Sequence, residues 1–297
     1  MASVLRHLRA AVGVGRLAAL AVALIALAGA ATACAAALQR EADSVEPPPA
    51  KADGDRGKLY DDGCMIDQRE MRWPTCVYGK RKSRKTVVLF GDSQAMQWFP
   101  PLRRLARRHG WRLIGRTRAG CPPAAVNFAS RCNKWRKETL RRIERHDRPD
   151  VVVTGTGVVY EVIEGGRRLG LKASRRIQRK GLARTLRRLR RTGAKVRVMK
   201  TLSWAPFDAV ACVEKRMKRL RRCAFDRKQP MNAVFEARAT KRVKGAKLID
   251  ARDRICLPRI CPAVIDGMLV YRDPKHLSAT FARSLAPWLD RRLPRPR

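Results

Sequence analysis

Five short strand-like runs, at 87–90, 112–116, 150–154, 195–201 and 247–250, alternate with stretches of helical periodicity. No other feature constrains the fold as strongly. The helical patterns lie near 102–108, 133–146, 177–191 and 231–242. In the third, Leu182, Leu186 and Leu189 fall on one face, arginines on the other, and Gly193 follows its last turn. A final helix starts near Ser278, a good N-cap, with Phe281, Leu285, Trp288 and Leu289 on one stripe. Apolar strands separated by helices are buried on both faces. The pattern predicts a three-layer α/β/α sandwich around a five-stranded parallel sheet. Such sheets bind ligands at the carboxyl ends of their strands.

The N-terminus stands apart. Arg6, Arg9 and Arg16 precede an uncharged apolar stretch at 17–39. This is either a cleavable signal peptide or a membrane anchor of about 20 residues. Both place the rest of the chain outside the cytoplasm, at the extracytoplasmic face of the membrane. The organisation read from the sequence is a signal or anchor at 1–38, a linker and disulfide-stapled extension at 39–84, and a main domain at 85–297. Pro47, Pro48 and Pro49 mark the linker, and 59–84 reads as irregular.

Eight cysteines of the exported part fall into close pairs, and their spacing predicts four local bridges: Cys64–Cys76, Cys121–Cys132, Cys212–Cys223 and Cys256–Cys261. Bridges suit an oxidising compartment. A zinc site would need two-residue spacings and histidine partners, which these pairs lack, so no metal is expected. The ninth, Cys34, ends an Ala31-Thr32-Ala33-Cys34 run that resembles a bacterial lipoprotein box, without the usual leucine three places earlier. It is a candidate for lipidation.

Charge is extreme, with 67 Lys+Arg against 25 Asp+Glu and a net +42. The densest block, 167–200, holds 15 basic residues and no acid. This fits either an anionic partner or arginine-rich solvated helix faces. Nucleic acid is not expected, because export argues against it and no helix-turn-helix or zinc-finger pattern occurs.

The first strand runs straight into Gly91-Asp92-Ser93. A serine there stands at the carboxyl end of a strand and the start of a helix, whose N–H groups favour developing negative charge. Serine is a weak nucleophile without a base. Of the four histidines, His7 lies in the signal region. His109 and His146 end basic helices, where a structural role is expected. His276 remains, with Asp273 three residues earlier on a Pro-containing turn. A carboxylate so placed can orient an imidazole, the division of labour of a Ser-His-Asp triad.

These segments resemble the SGNH (GDSL-type) hydrolase superfamily, and above all the SGNH domains attached to acyltransferase-3 membrane proteins that O-acylate surface glycans. Gly91-Asp92-Ser93-Gln94-Ala95-Met96-Gln97-Trp98 resembles their first block, usually GDSHAAQW. Arg118 to Pro123 resembles their SGCPP segment, Cys212 to Arg227 their paired-cysteine insertion, and Tyr271 to Ser278 their closing DxxHLS. The resemblance spans about two-thirds of the chain. It implies a flavodoxin-like SGNH fold, Ser93 as nucleophile, His276 as general base, Asp273 as its orienting partner, and an oxyanion hole from the backbone N–H groups of Ser93 and Gly120. It implies no cofactor. Asp92, Thr156 and Gly157 are candidate substrate contacts, the alternative being that Asp92 fixes the turn through hydrogen bonds to nearby backbone and that Thr156 and Gly157 only form the loop after a strand. The third block departs from Gly-x-Asn-Asp: the chain reads Gly155-Thr156-Gly157-Val158, without an amide side chain, and Gln94 replaces the commoner histidine. The expected function is an exported serine acyl-hydrolase or O-acyltransferase, transferring acetyl by analogy, acting on cell-envelope glycan. The alternative is an inactive module that binds glycan or an acyltransferase-3 membrane partner. Trp98 and Trp135 are expected to pack rather than bind sugar.

Overall fold

The computed structural model describes residues 41–157, 159–227 and 235–296. The signal or anchor segment, Cys34 and the start of the fourth helical pattern lie outside these residues. Among the described residues no helix is long and apolar enough to cross a membrane.

All five predicted strands form. They are β3 (Thr86–Gly91), β4 (Arg112–Arg118), β5 (Val151–Gly155), β6 (Lys195–Met199) and β7 (Ala246–Ile249). Two further strands come from the extension read as irregular, β1 (Met65–Ile66) and β2 (Cys76–Gly79). The order is β1-β4-β3-β5-β6-β7, all parallel, with β2 antiparallel on β4. β2 covers the first half of β4's outer edge and β1 the second, so the extension completes the sheet. The proline-rich stretch is not a free linker either. Ala42, Val45 and Ala52 are buried, and Asp55 accepts hydrogen bonds at its carbonyl and carboxylate from the amides of Ala279 and Thr280. Such a segment has few hydrogen bonds of its own and gains stability by packing its apolar residues on the core.

Alternation along β3 splits the core in two. Val87 and Leu89 face a layer formed by α2 (Phe99–His109), α6 (Ala279–Ser284) and α7 (Ala286–Asp290). Val88 and Phe90 face α3 (Ser130–Arg142), α4 (Leu171–Arg191) and α5 (Phe235–Lys241). The stripe of Phe281, Leu285, Trp288 and Leu289 is buried, and so are Trp98 and Trp135. Ser278 caps α6 by accepting from the Phe281 amide at 3.1 Å. The four expected disulfides are all formed.

Candidate active site

Three elements meet at the carboxyl end of the sheet. β3 delivers Gly91, whose φ of 148° and close approach to the Gly155 carbonyl leave no room for a side chain: a Cβ would stand 2.6 Å from that oxygen. The chain then turns sharply into α1 (Ser93–Met96), with Asp92 as N-cap. The turn is short, and Pro100 and Pro101 fall in the first turn of α2, where a missing N–H costs nothing. The third element is the hairpin of β8 (Tyr271–Asp273) and β9 (His276–Leu277).

This hairpin brings His276 to Ser93, with Nε2 2.8 Å from Oγ. The other ring nitrogen, Nδ1, lies 2.8 Å and 2.9 Å from the two Asp273 carboxylate oxygens. Asp273 also accepts from the backbone amides of Lys275 and His276. All three side chains are half-buried. Burial opposes ionisation of Asp273, but the His276 ring, the Lys275 amide and the buried Arg272 guanidinium outweigh it and hold the carboxyl below its ordinary value. An ionised Asp273 needs the proton on Nδ1, which leaves Nε2 free to accept one from Ser93.

Two glutamines of the first turn fix the histidine. Gln94 Nε2 donates to the Lys275 carbonyl at 2.8 Å, and Gln97 Oε1 accepts from the Leu277 amide at 3.0 Å. The peptide groups on both sides of His276 are therefore tied to the turn that carries Ser93. Gln97 Nε2 also donates to Gln94 Oε1, at 3.0 Å. Sequence reasoning singled out neither role. The available signal was two amides, three residues apart, on the buried face of a short helix.

Asp92 is completely buried and faces away from solvent. Its carboxylate accepts from the Gln94 amide, the Thr156 hydroxyl and the Tyr160 hydroxyl at 2.9, 2.9 and 3.0 Å. Thr156 is also buried, its hydroxyl spent on Asp92 and its carbonyl accepting from Thr201 Oγ1. In this structure both residues brace the loops behind Ser93, Asp92 fixing the turn through the Gln94 amide. Tyr160 is a member of the site that sequence reasoning missed. Burial pushes the Asp92 carboxyl above its ordinary value, although its hydrogen bonds and the His276 ring favour the charge. A raised carboxyl contributes stability that is intact below about pH 4, the ordinary aspartate value, and is lost as pH rises through the raised value. The Asp92→Asn chain is therefore expected to gain in Tm relative to wild type as pH rises from about 4 to about 7. A Tm difference that stays constant over that range contradicts the assignment.

The backbone amides of Ser93 and Gly120 have no hydrogen-bond partner among the described residues. The loop after Gly120 is held from beneath. Arg136, buried in α3, donates to the carbonyls of Pro122 and Val126, and Thr185 of α4 donates to that of Pro123. Cys121 is fully buried in its bridge. No cluster of three or more histidine, cysteine or acidic residues able to hold a metal occurs among the described residues.

The family model described as "SGNH domain (fused to AT3 domains)" matches residues 62–291. The chain belongs to this SGNH family. The match begins within the extension, in keeping with strands β1 and β2 as part of the SGNH sheet. No curated protein matches the chain at a significant level. Among solved structures, the periplasmic domain of a lipopolysaccharide acetyltransferase from Salmonella ser. Paratyphi A shares the fold, with a TM-score of 0.54 and 15% identity over 72% of this chain and 85% of that one. A Bacteroides fragilis protein assigned as an acylhydrolase matches at a TM-score of 0.40 and 14% identity, over 72% of this chain and 88% of its own.

Proposed function

We propose that this SGNH protein is an exported serine acyl-hydrolase or O-acyltransferase acting on cell-envelope glycan. The contact that carries the reading is the 2.8 Å approach of His276 Nε2 to Ser93 Oγ, backed by Asp273 on Nδ1. Ser93 Oγ attacks the acyl carbonyl while His276 Nε2 takes its proton. The negative charge on the former carbonyl oxygen is met by the free N–H groups of Ser93 and Gly120. The intermediate collapses, the ester C–O bond breaks, and His276 returns its proton to the leaving alcohol. Water or a sugar hydroxyl then attacks the acyl-enzyme, losing its proton to His276 and regenerating Ser93. Hydrolysis and transfer differ only in that last acceptor.

Export is supported by the N-terminal apolar stretch and by four disulfides, which persist in oxidising compartments. The envelope-glycan substrate, the acetyl group and an acyltransferase-3 partner rest on the family description and on the lipopolysaccharide acetyltransferase likeness.

Mass spectrometry of the protein after treatment with a fluorophosphonate probe tests the reading. The expected result is one adduct, on Ser93, with hydrolysis of an activated acetyl ester lost in Ser93→Ala. Absence of the adduct, together with equal ester hydrolysis by wild type and Ser93→Ala, overturns catalysis. It favours the binding-module reading, to which the missing amide side chain at Gly157 already points.

A further inference from the structure

A cavity of about 200 Å³ lies between α2, α6 and the N-terminal extension. Its wall carries Lys58, Arg103, Arg104, Arg107 and Arg283. Phe99 and Pro100 provide an apolar floor. Lys58 is paired with Asp62 at 3.0 Å, and Arg103 acts on the same carboxylate at longer range. The side chains of Arg103, Arg104, Arg107 and Arg283 have no hydrogen-bond or ion-pair partner among the described residues. Arg103 and Arg107 stand one helical turn apart, where like charges repel. Elsewhere arginines are neutralised: Arg116 by Asp147, Arg188 by Glu144, Arg252 by Asp250.

The overall basic charge does not by itself explain this arrangement. Arginines of α4 also line a depression, but they come from a single helix, and two of them are engaged, Arg184 by the Ala125 carbonyl and Arg188 by Glu144. Here two helices and the extension direct cations at one concave volume over an apolar surface, which strengthens each attraction for an anion. Guanidinium forks match phosphate oxygens in pairs. At about 30 Å³ per water, the cavity has room for several waters or for a phosphate group with part of its shell.

We propose that this cavity binds a phosphate or diphosphate group, free in solution or carried on a lipid headgroup. Its occupancy bridges α2, which follows the Ser93 turn, and α6, which follows His276. A bound anion therefore ties together the helices that follow the two reacting segments.

Calorimetric titration of the full-length chain with pyrophosphate at physiological salt tests the site. Arg104→Glu/Arg107→Glu is expected to weaken binding about tenfold or more, the loss of roughly one strong charge-assisted contact. The control is Arg184→Glu/Arg187→Glu in a second arginine-lined depression beside α4. It changes net charge equally and is expected to shift affinity less than about twofold, as exposed distant charges are screened. Arg283→Glu, on the opposite wall, provides an independent variant and is expected to weaken binding in the same direction. Absence of binding at physiological salt, or equal losses in the pocket and control variants, overturns the proposal. Vesicles of phosphatidylglycerol and phosphatidylcholine identify the source. Anionic vesicle binding that pyrophosphate competes away and the pocket variant loses assigns a headgroup phosphate. Vesicle binding indifferent to both, beside pocket-dependent pyrophosphate binding, assigns a free phosphate.

Discussion

Replacing His276 by alanine is expected to lower kcat for ester cleavage by about 10⁴, with little change in KM. Nε2 is the one base within hydrogen-bond distance of Ser93 Oγ among the described residues. Without it the hydroxyl attacks as a neutral alcohol and the leaving group departs unprotonated. Asp273→Asn is expected to approach the same loss by another route. An amide there can present its NH₂ to Nδ1, which moves the imidazole proton to Nε2 and turns the base toward Ser93 as a donor. The double variant is expected to be little worse than either single one, because the residues act as a unit. Steady-state kinetics with an activated acetyl ester, beside thermal melts showing that each variant folds, measure this. A fall of less than about tenfold in His276→Ala, in a folded protein, means that the 2.8 Å contact is not the one that moves the proton.

The legible parts of the chain were those where one local pattern carried the answer. Four of the five main strands showed as runs ended by glycine or charge because both their faces are buried, and the edge strand β7, with Lys247 exposed, showed only by its place in the alternation. Ser93, Asp273 and His276, which the structure brings into one hydrogen-bonded chain, showed because residue types able to form such a chain are few and stand beside recognisable turns. What escaped reading depends on contacts distant in sequence. β1 and β2 are too short to display an alternating period, and only their pairing with β4 makes them strands. The proline-rich segment has linker composition, yet its apolar residues find the core and Asp55 meets the start of α6. Gln97 lies inside the first block but its partner cannot be read there, and Tyr160 has no motif around it. Their roles arise where Gln97 reaches the Leu277 amide and Tyr160 reaches Asp92 across the fold.

Introducing asparagine at Gly157 looks, from the sequence, like a repair, since the third block lacks its amide there. The structure leads to the opposite expectation. A Cβ at 157 would stand 2.0 Å from Gln94 Cγ and 2.6 Å from its Cδ. Gln94 is not a free arm that can swing away, because its amide holds the Lys275 carbonyl and accepts from Gln97. Its displacement breaks both contacts and loosens one of the two ties on His276. Gly157→Asn is expected to cost about 1–3 kcal/mol of stability, the usual range for overpacking. It is also expected to lower kcat about 10²-fold, the order of loss when a catalytic group is misplaced by an ångström. Adding Gln94→Ala vacates the disputed volume. The double variant should recover most of the stability but not kcat, since no donor then reaches the Lys275 carbonyl. Denaturant unfolding and steady-state kinetics on the two single variants and the double separate packing from positioning. If Gly157→Asn matches wild type in both, Gln94 yields freely and the tie on the histidine is not what orients it. The side chain at 94 fills the volume that a side chain at 157 would need, so the two positions cannot be changed independently.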